Sequence, residues 1–447
     1  MTAKQAPGPR GFSVVSSIIG MRGTDPLTFW CGAHAKYGDT IKLGLGPMDI
    51  WAFASPKAIY EVLVTQNRNM RKGLGYAGLK KLLGEGLITT DKDHWATQRH
   101  RLNPLFAPTA IDAYSRSIYD AVAAGLEEIN FLASEGAPVD IGHTMTRLTM
   151  RVISRAAFGV DLTTGHDDIV DAFEFAFAFV ADITSDPLSA PLIIPTSNNR
   201  KFKHSLQKID SFIDLLIDQS KAQPDASNMN AKIFTALKGN DRKQLRDEII
   251  SLYFAGFETT ARTMTFLMYL LPRYPNVLKD LRSEADTLQK PDNRNSMIND
   301  LPFATEVVNE ALRLFPPVAM MARQANSDCQ IDGYEIRANS MLIICPFIAQ
   351  RDKEYWPAED KFSPSVERPM ARQLLHRGAF ATFGAGPRVC LGKHFAMVEM
   401  STAISMIAQA FDWTLESDAP VELDFHGTLR PSKPILARLT ARKHKPI

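Results

Sequence analysis

Cysteine is scarce in this chain: four in 447 residues, Cys31, Cys329, Cys345 and Cys390, with no CxxC pair and no Cys/His ligand spacing. That argues against a disulfide framework and a structural zinc site, and implies a reducing compartment. An excess of one charge is missing too. With 51 basic and 49 acidic residues the net charge is +2, so no concentrated basic stripe points to nucleic acid. At the start, MTAKQAPGPRGFSVVSSIIGM has only a short apolar patch broken by Ser16 and Ser17. It is too short and too polar for a signal peptide or an anchor. Repeats, low-complexity linkers, a GxGxxG after a strand and flavin or iron–sulfur cysteine patterns are all lacking. The expectation is a soluble, cytoplasmic protein with no membrane span, folded as one domain over residues 1–447.

What is present suits a large core, since 45% of the residues are hydrophobic. Up to about Phe53, alternation such as TIKLGLG predicts a small sheet. From Pro56 to Leu314, runs such as AIDAYSRSIYDAVAAGLEEINFLA carry apolar residues three and four apart and predict helices. Short β-like runs follow Pro316 and Pro317, then coil, one more helix from about Leu391, and a β-hairpin from about Val421. The fold class is mainly α with small β-sheets. DEIISLYFAGFETTARTMTFLMYLLPRYP is apolar nearly all round until Pro272. Glu258 and Arg262 would each cost about 2.5–3.5 kcal/mol at mid-bilayer, so it reads as a buried central helix.

Three constellations carry chemistry. FGAGPRVCLG surrounds Cys390 with glycines, which allow close approach to a flat ligand, and with Arg388, which favours a thiolate. A helix beginning just after it adds its N-terminal dipole. That suits a metal ligand or a nucleophile; a structural cysteine in a tight turn is the plain alternative. In AGFETT, small Ala255 and Gly256 clear space on one helix face, and the Thr259 hydroxyl can bond the Ala255 carbonyl. Beside it, Glu258 offers a carboxyl to a proton relay, or the group is an interhelical polar patch. In EALR, Glu310 and Arg313 sit at i, i+3 and can pair, with Asn299 or Asp300 capping that helix. Alone, such a pair is usually a surface salt bridge.

Taken in order, these residues resemble the cytochromes P-450, the haem-thiolate monooxygenases. Phe383, Gly386, Arg388, Cys390 and Gly392 match that family's cysteine loop, FxxGxRxCxG. AGFETT is similar to its oxygen-activating helix motif, Glu310 and Arg313 to its ExxR pair, and Trp95 with Arg99 in HWATQRHRLNPLF to its WxxxR motif. Arg368 in FSPSVERP resembles the third member of the ExxR cluster, although extra residues interrupt the usual run. The resemblance covers essentially the whole chain and implies haem b between a long central helix and the cysteine loop.

By that resemblance Cys390 is the axial thiolate, which favours O–O cleavage. Arg388, Arg99 and Trp95 bind the propionates, with Arg323 a further candidate that otherwise reads as a strand residue. Ala255 faces the cofactor, and Thr259 and Glu258 guide protons during oxygen activation. Glu310, Arg313 and Arg368 hold the fold behind the cysteine loop. Leu252, Val318, Met320, Met321 and Leu429, together with the loop from Met70 to Leu87, are expected to meet an apolar substrate, or else to be ordinary core. The implied reaction is hydroxylation or epoxidation of a terpenoid, fatty acyl, steroid or polyketide-like molecule with O2. Electrons come from a separate ferredoxin- or flavodoxin-type donor with its NAD(P)H reductase, docking near Arg101, Lys393 and His394. Alternatives are a peroxide-driven or isomerising enzyme, a haem-thiolate sensor without turnover, and a catalytic Cys390 with His394 as its base.

Overall fold

Asp25 opens the first described helix, α1 (Pro26–Tyr37): its carboxylate accepts the Thr28 N–H at 2.8 Å, and Pro26 fills the first turn, where a missing N–H costs nothing. The computed structural model describes residues 6–9, 25–45, 48–160, 167–185, 191–222, 229–239, 241–288, 290, 297–356, 361–365 and 377–442. Strands β1 (Thr40–Leu45) and β2 (Met48–Phe53) follow and pair antiparallel, Thr40 opposite Phe53, as the alternation of TIKLGLG predicts. With β3 (Met70–Arg71), β4 (Met321–Ala325) and β5 (Met341–Ile344) they form one sheet of order β1-β2-β5-β4-β3. Within it β2 and β5 run parallel, Ile50 opposite Met341, so the sheet joins segments nearly three hundred residues apart in sequence.

Between them lie the helices α2 (Ala77–Leu83), α3 (Lys92–Leu102), α4 (Ser115–Ser134), α5 (Ile141–Val152), α6 (Asp167–Ser185) and α7 (Ser197–Ala222). The centre is α8 (Arg242–Leu270), capped by Asp241, whose carboxylate accepts the Gln244 N–H at 2.7 Å. At 1.5 Å per residue this helix is about 43 Å long. Its C-terminal two thirds are buried almost all round, between α5, α7, α10 (Pro302–Leu314) and α11 (Lys393–Ala410). Tyr253 anchors it: Phe158, Phe173, Phe212 and Phe257 stand 5.1–5.9 Å away by ring centroid, and the phenol meets Ser154 Oγ at 2.9 Å. The helix gives way to a 3₁₀ turn at Pro272, as expected. Among the described residues no helix is long and apolar enough to cross a membrane.

Two expectations are corrected. Neither Asn299 nor Asp300 caps α10, because both lie in a separate short helix, Met297–Asp300. Glu284, in the last turn of α9 (Pro275–Ala285), supplies the cap instead, accepting the Phe303 and Ala304 N–H groups at 2.7 and 2.8 Å. The last helix begins at Lys393 rather than Leu391, since Leu391 and Gly392 are used in the turn that closes the cysteine loop. The hairpin expected after Val421 is present as β6 (Leu423–Phe425) and β7 (Leu429–Pro431).

Candidate active site

The cysteine loop turns on Gly384 and Gly386, with φ of +71° and +65°, the left-handed region that glycine enters freely. At Gly386 a Cβ would stand 2.4 Å from the Leu63 carbonyl oxygen, so glycine also lets the loop lie against the chain there. The Cys390 N–H donates to the Phe383 carbonyl at 2.8 Å and the Val389 N–H to Gly386 at 3.1 Å. These bonds fold the loop back on itself and present Cys390 to a cavity of about 320 Å³ between the loop and α8. The Cys390 side chain is exposed to that cavity but otherwise enclosed. Burial pushes its thiol up, opposed by the Gly392 N–H and by Arg99 and Lys393. Those opposing groups are the ones a bound metal ion would reinforce in favour of the thiolate.

Four cations line this same cavity: Lys72, Arg99, Arg323 and Arg388. Arg388 bonds the Asp91 carboxylate and the Thr90 carbonyl and lies 4.2 Å over the Trp95 ring. Arg323 donates to its neighbour Ala322 and, at 3.5 Å, to Tyr76. The Nε atoms of Arg99 and Arg323 are buried without a hydrogen-bond partner. Lys72 is held well below the ordinary lysine range by burial, then by Arg388 and Arg323, with Asp91 opposing. Buried cations in such excess call for anions. A flat molecule with two carboxylates at its edge and a metal that takes a thiolate satisfies both groups, so the residues present fit haem.

Behind the loop, Glu310 and Arg313 are both essentially inaccessible and pair in a two-pronged contact at 2.9 and 3.0 Å. This is a core cluster, not a surface bridge. Arg313 also donates to the carbonyls of Gln350 and Lys361. Gln350, wholly buried, donates to the Leu312 and Arg313 carbonyls and accepts from the Ala381 N–H and the Thr382 hydroxyl. It thereby ties α10 to the chain just before the cysteine loop. Arg368 lies outside the described residues.

On the opposite wall, Leu252, Ala255, Gly256 and Thr259 of α8 face the cavity. Thr259 Oγ1 donates to the Ala255 carbonyl at 2.9 Å, as the spacing predicts. The missing side chain of Gly256 admits Ile153, which a Cβ would meet at 2.8 Å. Val318, Met321, Trp95, Phe383 and Gly392 line the cavity as expected. Three expected residues do not. Glu258 is turned away, its Oε1 held by Arg262 at 3.0 Å and by the Thr428 hydroxyl at 2.9 Å. Met320 packs against apolar clusters beside Met321, because adjacent residues of an extended chain point opposite ways. Leu429 is wholly buried with Leu27, Phe266 and Ala319. His394 does not line the cavity either, so among the described residues that do there is no histidine or carboxylate to serve Cys390, and burial lowers the His394 imidazole.

Sequence reasoning placed Lys72 and Tyr76 in a loop expected to meet an apolar substrate, not among the groups that could hold carboxylates, and it missed Gln350. A lysine in a glycine-rich loop carries no local mark of a ligand, and Gln350 precedes the Arg-Asp pair of AQRDKEYWP without a helical or strand period. The comparisons with known proteins agree on one family. The cytochrome P450 family model matches residues 6–439. Cyclooctatin synthase of Streptomyces melanosporofaciens is 29% identical over 395 residues, covering 86% of this chain and 84% of that protein. Pentalenene oxygenase of Streptomyces avermitilis is 25% identical over 431 residues, 93% of each. Cytochrome P450 3A6 of Oryctolagus cuniculus is 27% identical over 465 residues, 98% of this chain and 91% of that one.

Proposed function

The chain belongs to the cytochrome P450 family, and from that premise we propose that it oxygenates a terpenoid or similarly apolar skeleton at a haem whose axial ligand is Cys390. Membership makes it a haem-thiolate oxidoreductase that uses O2 and electrons from redox partners. The observation that carries the substrate reading is the cavity itself: above Cys390 its wall is apolar at Leu87, Leu252, Ala255, Val318 and Met321. Two bacterial relatives are named for oxygenating pentalenene and cyclooctat-9-en-7-ol. A ferredoxin- or flavodoxin-type donor with its NAD(P)H reductase supplies the electrons, and one continuous domain in the cytoplasm houses the reaction. Support for that compartment comes from Cys31, Cys329 and Cys345, all free thiols.

Haem, when bound, supplies the activation of O2. The chain's own residues do the rest. Cys390 offers its sulfur from a loop whose backbone is fixed at Gly384 and Gly386. Lys72, Arg99, Arg323 and Arg388, which line the cavity, would hold the cofactor's carboxylates by charge-assisted bonds. Thr259 exchanges its bond to the Ala255 carbonyl for a bond into the cavity, where its hydroxyl holds a proton. Leu252, Val318 and Met321 exclude water and orient the substrate.

Titration of the ferric protein with terpenes, steroids, fatty acids and aromatic polyketides, followed at the Soret band, tests this. Terpenes are expected to drive the band toward high spin. A shift with another class alone would overturn the terpenoid reading. Loss of the thiolate-type spectrum in Cys390→Ser is the companion result, and a retained one would remove Cys390 from the iron.

A further inference from the structure

Monooxygenation consumes protons: RH + O2 + 2 e⁻ + 2 H⁺ gives ROH + H2O. With Glu258 fastened to Arg262 and Thr428, a different acid of α8 stands near the cavity. Glu248 is wholly buried. Its Oε2 accepts the Leu87 N–H at 2.9 Å, while its Oε1 is buried with no hydrogen-bond partner. One turn on, Ser251 lines the cavity, and its buried Oγ also lacks a partner. Gly86 lies directly on that hydroxyl, which a Cβ there would meet at 2.3 Å. On the solvent side, exposed His94 of α3 places Nε2 3.8 Å from Glu248 Oε1.

We propose that His94, Glu248 and Ser251 form a proton entry line from solvent to the α8 side of the cavity, with Glu248 as the group that holds the proton. The proposal rests on the monooxygenase reading. In the transfer, Glu248 Oε1–H gives its proton through an intervening water to the Ser251 oxygen, and Ser251 releases its own O–H proton into the cavity. The Glu248 carboxylate is then reprotonated from the His94 imidazolium, which refills from bulk solvent. Only O–H and N–H bonds change, and one proton enters per cycle. The 3.8 Å gap at His94 is the kind that one water bridges. From Ser251 to Thr259 the cavity wall continues along α8 for about 12 Å.

The charges facing Glu248 are consistent with this. Besides His94 from α3 there is Asp247 from α8, paired in turn with Lys243 and Arg246, and bonded to the Glu85 N–H of the adjoining loop. Burial pushes the Glu248 carboxyl up to about 7, with the Leu87 N–H opposing and Asp247 adding to the rise. It therefore holds and releases a proton near neutrality.

Infrared difference spectra of the ferric holoprotein between mildly acidic and mildly alkaline buffer test the assignment without turnover. The expected result is a protonated-carboxyl band that titrates near neutrality and is lost in Glu248→Gln. In reconstituted turnover, Glu248→Gln and Ser251→Ala are expected to lose product formation by about tenfold or more, diverting electrons to hydrogen peroxide and enlarging the solvent deuterium isotope effect. Substrate titration of the Soret band should stay within about twofold. His94→Asn, a surface change, should slow turnover and steepen its fall at alkaline pH. A band that survives in Glu248→Gln overturns the proposal, as do unchanged coupling and isotope effect in that variant. A wild-type protein that oxygenates nothing would sink the monooxygenase reading instead, with the infrared band still deciding Glu248.

Discussion

Lys72 shows how far a single side chain can differ from its local appearance. In RKGLGY it is one residue of a loop expected to meet an apolar substrate; in the fold it is buried over the Tyr76 ring at 4.7 Å and shares a cavity with three arginines. Cys390, Arg388 and Thr259 were legible because each sits in a motif whose residues touch one another locally. Lys72 was not, because its meaning depends on Arg99, Arg323 and Arg388 arriving from three other parts of the chain. Met320 and Met321 make the same point more finely, since one extended step separates a cavity wall from the core. A charge-assisted bond contributes about 1.5–3 kcal/mol. Lys72→Met is therefore expected to release haem roughly 10- to 100-fold faster, measured by transfer to an excess of a haem-scavenging apoprotein. An unchanged rate would take Lys72 out of the carboxylate site.

For the elements, the cysteine loop and α10 depend on backbone details that composition hides. The expected caps for α10 were the nearest polar residues, yet Glu284 reaches across from α9. A cap supplied through space has no sequence spacing to betray it. The glycines of FGAGPRVCLG, in contrast, were read correctly as conformational, and the structure separates their tasks: φ of +71° at Gly384, and φ of +65° with close approach to Leu63 at Gly386. Gly386→Ala adds a left-handed alanine, about 1–2 kcal/mol, to a backbone clash at 2.4 Å. We expect it to lower the melting temperature of the holoprotein and to broaden the Soret band as the sulfur is displaced. Gly392→Ala, with open space around its Cβ, should do so far less, and equal effects would refute the assignment.

Across the whole molecule, Gln350 ties α10 to the approach of the cysteine loop, and Glu310 with Arg313 fixes the same junction. Replacing Gln350 by Leu keeps the volume but strands the Arg313 carbonyl and the Ala381 N–H, while the Thr382 hydroxyl keeps its bond to the Leu312 carbonyl. A loss of about 3 kcal/mol or more is expected from such orphaned groups, read as a lower denaturant midpoint with the helical signal of the native state intact. The broad architecture was legible because helical and strand periods survive in sequence; the junction was not, since buried polar partners have no period. The cavity also has a temporal consequence. Its walls come from Trp95, Thr259, Cys390 and Met400, and β2 must wait for β5 to complete the sheet. On the ribosome, every residue up to Met400 must emerge before this chamber exists, so haem is captured only after that stretch has been made. The nascent polypeptide meanwhile carries unfilled apolar surface and an unpaired strand edge. The yield of loaded protein in a cell is thus set by a race between cofactor supply and self-association, which slower translation at low temperature favours winning.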